Sequence, residues 1–145
     1  MATRTARTAW NGTLQEGSGQ VELSSSGAGT FDVSFPKRTA DDAGGTTSPE
    51  ELIAAAHSSC FAMQLSGVIA AAGGTPIALE ISADVTLRPD PAGGLRISGI
   101  VLTVRGEVEG LDAAGFQAAA ENAKATCPVS KALTGTEITL HASLA

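Results

Sequence analysis

One helix with a defined start and a defined stop is the clearest local signal in the chain. Ser48 suits the N-cap position, Pro49 suits the first helical position, and Glu51 completes a capping box. No helix breaker follows until Gly73-Gly74, so the pattern predicts roughly 24 helical residues with a length of about 36 Å. Because small and apolar residues occur almost all round this helix, we expect it to be buried at the centre of the fold.

Segments with strand periodicity lie on both sides of this helix. Three short alternating segments come before a polar loop at Pro36–Thr47, and two long ones follow the helix, joined by a Pro- and Gly-rich hairpin. Asp112 is a suitable N-cap for a second helix through Ala125, and Cys127-Pro128 opens a short helical turn to Leu133. The predicted strands are Thr8–Leu14, Gly19–Ser24, Thr30–Phe35, Ile77–Leu87, Leu95–Val108 and Glu137–Leu144.

This order, β-β-β-α-β-β-α-β, predicts an α+β fold in which the helices pack on one face of a mostly antiparallel sheet. With 145 residues, of which 43% are hydrophobic, we expect a single globular domain over residues 1–145.

Charge and hydropathy exclude several classes of partner. The net charge of −6 argues against binding to nucleic acid, and the basic residues form no cluster for an anionic membrane. The longest apolar stretch, Leu52–Ala72, is interrupted by His57 and several other polar residues, so we expect no membrane span. The Arg-rich start of the chain lacks the apolar segment of a secretory signal, which makes the cytoplasm the expected location.

The chain has only two cysteines, and each occupies a marked position. In a reducing cytoplasm such a pair is more often catalytic or metal-binding than a structural disulfide. Cys60 lies in mid-helix, where a cysteine is usually an inert core residue and gains nothing from a helix terminus. Cys127 precedes Pro128 at the start of a helical turn, whose free N–H groups stabilise a thiolate. The sequence leaves open whether the two sulfur atoms meet.

If Cys60 is reactive, it needs a nearby cation. Lowering a cysteine pKa from about 8.5 to about 5.5 requires about 4 kcal/mol, which one desolvated guanidinium can supply and a screened surface charge cannot. The candidates are His57 and Arg38, and Arg38 is preferred because it stays charged when buried and can bind a carboxylate as well. Glu50 is the expected carboxylate.

Helix geometry limits how Glu50 can contribute. Glu50 and Cys60 are ten residues apart, which separates them by about 15 Å along one helix. If two such helices pack antiparallel about a two-fold axis, Glu50 of one chain becomes level with Cys60 of the other. We therefore expect a homodimer whose sites are shared between chains.

Two other kinds of site find less support. His57 and Cys60 have the spacing of half a metal site, but only His141 and Cys127 remain as further soft ligands, so we expect no metal. The chain has no Cys-x-x-Cys motif and no Gly-rich phosphate loop, so neither a thioredoxin-type exchanger nor a nucleotide cofactor is indicated.

Two motifs together resemble a known family. The segment 48–63, SPEELIAAAHSSCFAM, and the segment 125–130, ATCPVS, are similar to the cysteine motifs of the OsmC/Ohr family of osmotically inducible protein C and organic hydroperoxide resistance peroxidases. The similarity extends over nearly the whole chain. His57, and an Arg in the loop ahead of the helix, resemble the OsmC branch of the family.

The resemblance implies an intertwined homodimer that reduces organic hydroperoxides and hydrogen peroxide. It implies that Cys60 is the peroxidatic cysteine, that Cys127 resolves it in a disulfide, and that Arg38 and Glu50 activate Cys60. Lys37 competes with Arg38 for this assignment, and Glu51 competes with Glu50. An external dithiol, which is a lipoylated protein for some members, would regenerate the thiols. The alternative is a non-catalytic stress or ligand-binding protein with the same fold.

Overall fold

The computed structural model describes residues 1–145, which form six strands and four helices. Their order confirms the α+β class and every predicted element. One short helix is additional. It replaces the last residue of the third predicted strand and the start of the predicted loop, and Ser34 caps it by accepting the N–H of Lys37. The elements are β1 (Arg7–Asn11), β2 (Ser18–Glu22), β3 (Thr30–Val33), α1 (Phe35–Arg38), α2 (Pro49–Ala71), β4 (Thr75–Pro89), β5 (Leu95–Glu109), α3 (Ala113–Thr126), α4 (Pro128–Ala132) and β6 (Ile138–Leu144).

The strands form two three-stranded sheets, a division that the sequence did not predict, and three of the four strand pairings are antiparallel, as expected. In the unit Met1–Leu52, β1, β2 and β3 form an antiparallel meander. In the unit Ile53–Ala145, β4 and β5 form a long antiparallel hairpin and β6 pairs with β5 in parallel. The parallel pairing arises because two helices, α3 and α4, connect β5 to β6 as a crossover. A single domain over residues 1–145 stays a prediction.

The start of α2 confirms one half of the capping box. The Ser48 hydroxyl oxygen accepts the backbone N–H of Glu51 at 3.1 Å. The carboxylate of Glu51 does not complete the reciprocal bond and accepts the hydroxyl of Thr47 at 2.6 Å. At the other end Gly73 has a φ of 88°, the left-handed conformation that terminates many helices.

One stripe of α2 is buried in the chain, and the rest of the helix is not. His57, Phe61, Leu65 and Ile69 recur every four residues and are fully buried. They are covered on one side only, by residues from β5 and α3 such as Leu102, Val104 and Phe116. On the opposite side Met63 is 72% exposed. The single chain therefore buries one face of the expected central helix and leaves the opposite face open.

By length and composition alone, α2 meets the criterion for a helix that could cross a membrane. This is weak evidence, since the central helix of a soluble protein meets the same criterion. The fully buried Phe61 and Leu65 belong to the protein core.

We predict that Gly106→Ala destabilises the second unit. A Cβ at this position in β5 would lie 2.6 Å from Cζ of Phe116, whose ring is buried and cannot move aside freely. We expect the free energy of unfolding, measured with urea, to fall by about 1–3 kcal/mol. Gly135→Ala is the control, because a Cβ there meets no atom within 4 Å and should change stability by less than about 0.5 kcal/mol.

Candidate active site

The two cysteines lie side by side in the second unit. Cys60 is half-buried in α2, Cys127 is fully buried where α3 meets α4, and their sulfur atoms are 3.1 Å apart. A disulfide bond is about 2.05 Å long, so the atoms need to approach by about 1 Å to form one. The tertiary structure therefore brings together two residues that lie 67 positions apart in the sequence.

The surroundings of Cys127 favour its thiolate. Cys127 is both the C-cap of α3 and the N-cap of α4, and Pro128 follows at the first position of α4. Burial raises the pKa of Cys127, but hydrogen bonds from the backbone and hydroxyl of Ser130, from the Cys60 thiol and from the backbone of Val129 together lower it below its ordinary value. This agrees with the stabilisation that its place in the sequence predicts.

The surroundings of Cys60 have the opposite effect. Burial raises the pKa of the Cys60 thiol, and the hydrogen bond with Cys127 and the negative charge of that sulfur raise it further. The backbone N–H of Val129 lowers it by less. None of these groups is a cation, so Cys60 needs another source of activation.

Two hydrogen bonds between side chains flank the cysteine pair. Nε2 of His57 lies 2.7 Å from Oγ of Ser130, and Nε2 of Gln64 donates to Oγ1 of Thr126 at 2.9 Å. Residues 57, 60 and 64 follow one another on one face of α2, and their three partners lie around the junction of α3 and α4. Sequence reasoning missed Ser130, Gln64 and Thr126. The only available signals were their spacing from Cys60 and their closeness to Cys127 in the chain.

His57 is not the cation that Cys60 requires. Its side chain is fully buried, and this burial lowers its pKa below 6.5, so the imidazole is neutral at neutral pH. Nε2 is hydrogen-bonded to Ser130, whereas Nδ1 is buried without any partner. Of the two candidate cations, Arg38 is the one that stays charged.

Arg38 and Glu50 form a bidentate ion pair in the first unit. Nε of Arg38 lies 3.1 and 3.2 Å from the two carboxylate oxygens, and its Nη2 lies 2.7 Å from Oε1. Glu50 is only 7% exposed. Burial raises the pKa of this carboxyl, but the hydrogen bonds and charge of Arg38 outweigh it, so the pKa is lowered overall.

The geometry of this pair bears on the two competing assignments. Glu51 is exposed and bonded to Thr47, and Lys37 is exposed on α1. Arg38 and Glu50 are thus the residues that combine burial with a fixed geometry. Two fixed N–H groups of the guanidinium bind the carboxylate, which orients its remaining edge.

An apolar cavity of about 330 Å³ lies beside Arg38 in the same unit. Aromatic and aliphatic side chains form most of its wall, and Arg38 supplies the charged group. It is large enough for a small organic molecule whose polar end meets the guanidinium. The side chains of its wall include those of Trp10, Leu14, Val21, Phe35 and Leu52.

Comparison with protein families now gives a clear result. The family described as OsmC-like protein matches residues 41–141, which is more than half of the chain. This chain belongs to the OsmC family. The resemblance of its two cysteine motifs is therefore confirmed.

Similar proteins are known for nearly the full length of the chain. It is 40% identical over 135 residues to Peroxiredoxin OsmC of Escherichia coli (strain K12), covering 93% of this chain and 92% of that protein. The solved structure of the organic hydroperoxide resistance protein OhrB of Bacillus subtilis has a TM-score of 0.74 and 29% identity, covering 96% of this chain and 98% of that one. An organic hydroperoxide resistance protein from Elizabethkingia anophelis has a TM-score of 0.76 and 28% identity, covering 100% and 98%.

We predict that His57 makes stability depend on pH below about 6.5. There the unfolded chain takes up a proton on this histidine and the folded chain does not, because burial lowers its folded pKa. The free energy of unfolding should therefore be fully retained above pH 6.5 and decrease as the pH falls towards the lowered pKa. The carboxyl of Glu50 contributes in a separate range, below about pH 4.5.

Urea unfolding at a series of pH values measures this effect. His57→Gln removes the titrating ring and should flatten the curve between pH 6.5 and 5. The control is His141→Asn, which changes the exposed second histidine and should leave the decrease in place. An unchanged slope in His57→Gln would contradict the prediction.

Proposed function

We propose that this chain is a thiol peroxidase that reduces organic hydroperoxides and hydrogen peroxide in defence against oxidative or osmotic stress. The observation that carries the proposal is the 3.1 Å separation of the Cys60 and Cys127 sulfur atoms. Two free thiols at this distance form a disulfide with little movement, which a peroxidase with a resolving cysteine requires. The names of the relatives, a peroxiredoxin and organic hydroperoxide resistance proteins, support the same activity.

The proposed cycle has three steps. The Cys60 thiolate attacks one oxygen of the peroxide, the O–O bond breaks, and the other oxygen leaves as an alcohol or water after taking a proton. Cys60 is then a sulfenic acid, and Cys127 condenses with it to a disulfide with loss of water. An external dithiol, such as a lipoylated protein, reduces the disulfide and restores both thiols.

The first step needs the activation that the second unit does not supply. We propose that the Arg38–Glu50 pair provides it across a homodimer, because Glu50 is ten residues from Cys60 on the same helix. The two residues are bound to each other within one chain, so a partner that contributes Glu50 contributes Arg38 as well. The guanidinium would then stabilise the thiolate and polarise the leaving oxygen.

The open face of α2 supports the dimer. Its residues are small or flexible, which lets two helices approach closely. Burial against a second copy would also complete the central position that the sequence predicts for α2. The exposed residues of this face are Ala55, Ala56, Ser59, Met63 and Gly67.

The cavity beside Arg38 supports organic hydroperoxides as substrates. An alkyl group would bury apolar area against Trp10 and Leu14, while the peroxide end would meet the guanidinium. A cytoplasmic location and a dithiol reductant are part of the same proposal. The alternative is a non-catalytic ligand-binding protein. The cavity is the one feature that supports it, and it gives no role to the cysteine pair.

Substituting each cysteine tests the cycle directly. Cys60→Ser should abolish the consumption of cumene hydroperoxide, measured by stopped flow, because no thiolate remains to attack the peroxide. Cys127→Ser should complete one fast turnover and then stop, with over-oxidised Cys60 visible by mass spectrometry. If Cys60→Ser consumes peroxide at the parental rate, Cys60 is not the nucleophile. If Cys127→Ser sustains multiple turnovers, Cys127 is not the resolving cysteine.

Mixed dimers test whether the site is shared. Cys60→Ser and Arg38→Gln are each expected to be inactive, but co-expression gives heterodimers in which one site combines the intact Cys60 of one chain with the intact Arg38 of the other. Random assortment should restore about a quarter of the parental sites. If each site belongs to one chain, no activity returns. A monomeric sedimentation mass with full activity would also contradict the proposal.

A further inference from the structure

We propose that His57 and Ser130 are positioning residues for Cys127: His57 orients the Ser130 hydroxyl so that it donates a hydrogen bond to the Cys127 sulfur, which stabilises the thiolate that resolves the Cys60 sulfenic acid. The step at which this matters rests on the proposed function. The hydrogen-bond arrangement itself does not.

The orientation follows from the state of the buried imidazole. His57 is fully buried, Ser130 is 5% exposed, and their polar atoms lie 2.7 Å apart. If Nδ1 carried the proton, a buried N–H would have no acceptor, which is rare in folded proteins. A proton on Nε2 leaves only a bare acceptor at Nδ1, so this tautomer is favoured and His57 donates to Ser130.

The Ser130 hydroxyl can then act as a hydrogen-bond donor. Its oxygen already accepts from His57, so its O–H is free to donate. Cys127 is the N-cap of α4 and Ser130 is the third residue of that helix, and the side chains at these two positions lie close together at a helix start. The Ser130 side chain is also among the groups that lower the pKa of Cys127. A hydrogen bond to a charged sulfur is stronger than one to a neutral thiol, more so in a buried site. The relay therefore runs from Nε2–H of His57 through the hydroxyl of Ser130 to Sγ of Cys127.

The charge on Cys60 determines when the relay acts. While Cys60 is a thiolate, a second negative charge on Cys127 at 3.1 Å is disfavoured. Once Cys60 is an uncharged sulfenic acid, this repulsion is gone. His57 on α2 is neutral. The charged residues of the two helices that meet at Cys127 are Lys124 and Glu121 of α3, which pair with each other, and Lys131 in the last turn of α4.

The resolving step balances without a further reagent. Cys127 loses its proton, its thiolate attacks the sulfenic sulfur of Cys60, and the S–S bond forms as the S–O bond breaks. The hydroxide that leaves takes up one proton and becomes water. The Cys127 sulfur is oxidised and the sulfenic sulfur is reduced, which gives the disulfide.

A chain with one cysteine tests the relay without any peroxide. In Cys60→Ala the ultraviolet absorbance of the thiolate reports Cys127 alone, and the protein has no tyrosine to interfere. Ser130→Ala in this background should raise the pKa of Cys127. His57→Leu should raise it by less, and Ser130→Thr, which keeps the hydroxyl, should restore the parental value.

Thr126→Val is the matched control. It removes the hydrogen bond to Gln64 on the other side of the cysteine pair, so it weakens the same junction without touching the donor to sulfur. It should leave the Cys127 titration where it is in the Cys60→Ala chain. An equal shift in Thr126→Val, or no shift in Ser130→Ala, would overturn the proposal.

The rate of disulfide formation gives a second readout in the chain with both cysteines. After one equivalent of cumene hydroperoxide, Ser130→Ala should form the disulfide about three- to tenfold more slowly below neutral pH. The difference should vanish at high pH, where Cys127 is fully ionised and a thiolate of higher pKa is the better nucleophile. Slowing by the same factor at every pH would indicate a displaced cysteine and contradict the relay.

These outcomes separate the two proposals. If no variant, the parental chain included, forms a disulfide with peroxide, the proposed function fails. The titration of Cys127 in the Cys60→Ala background still decides for or against the relay in that case.

Discussion

The packing of α2 against the junction of α3 and α4 is the interaction on which the site depends. A stripe of fully buried apolar residues in α2 fixes the rotation of the helix, so Cys60 faces the chain segment that carries Cys127. Polar side chains on either side of the sulfur atoms, His57 with Ser130 and Gln64 with Thr126, add directional contacts to that packing. Apolar burial provides the stabilisation, and the hydrogen bonds fix the register in which the two sulfurs meet.

The groups around the two sulfurs shift the pKa values of the two cysteines in opposite directions. Cys127 lies at backbone N–H groups and beside a hydroxyl, which stabilise a thiolate. Burial and the neighbouring Cys127 sulfur raise the pKa of Cys60 and so disfavour its thiolate. The guanidinium that we propose as the activating group is that of Arg38, which Glu50 holds in a bidentate ion pair. If a partner chain activates Cys60 as proposed, Cys60 of an unassembled chain is less reactive and is protected from oxidation.

Local signals in the sequence were accurate where the chemistry is local. The Ser48 cap, the Gly73 stop and the Asp112 cap predicted the ends of α2 and the start of α3, because each depends on hydrogen bonds within a few residues. The same reasoning failed for the reciprocal bond of Glu51, since a neighbouring hydroxyl competed for its carboxylate. The division into two sheets was missed because strand periodicity does not report which strands pair.

The sequence by itself determined the two cysteines, their place in mid-helix and at a helix junction, and the family to which they belong. It also supplied Arg38 and Glu50 as the pair expected to activate Cys60. Only the tertiary structure decided that the sulfur atoms lie 3.1 Å apart, that Arg38 binds Glu50, and that His57 is a neutral partner of Ser130. Those contacts join residues 12 to 73 positions apart, and such separations are set by the packing of whole elements, which no local pattern encodes.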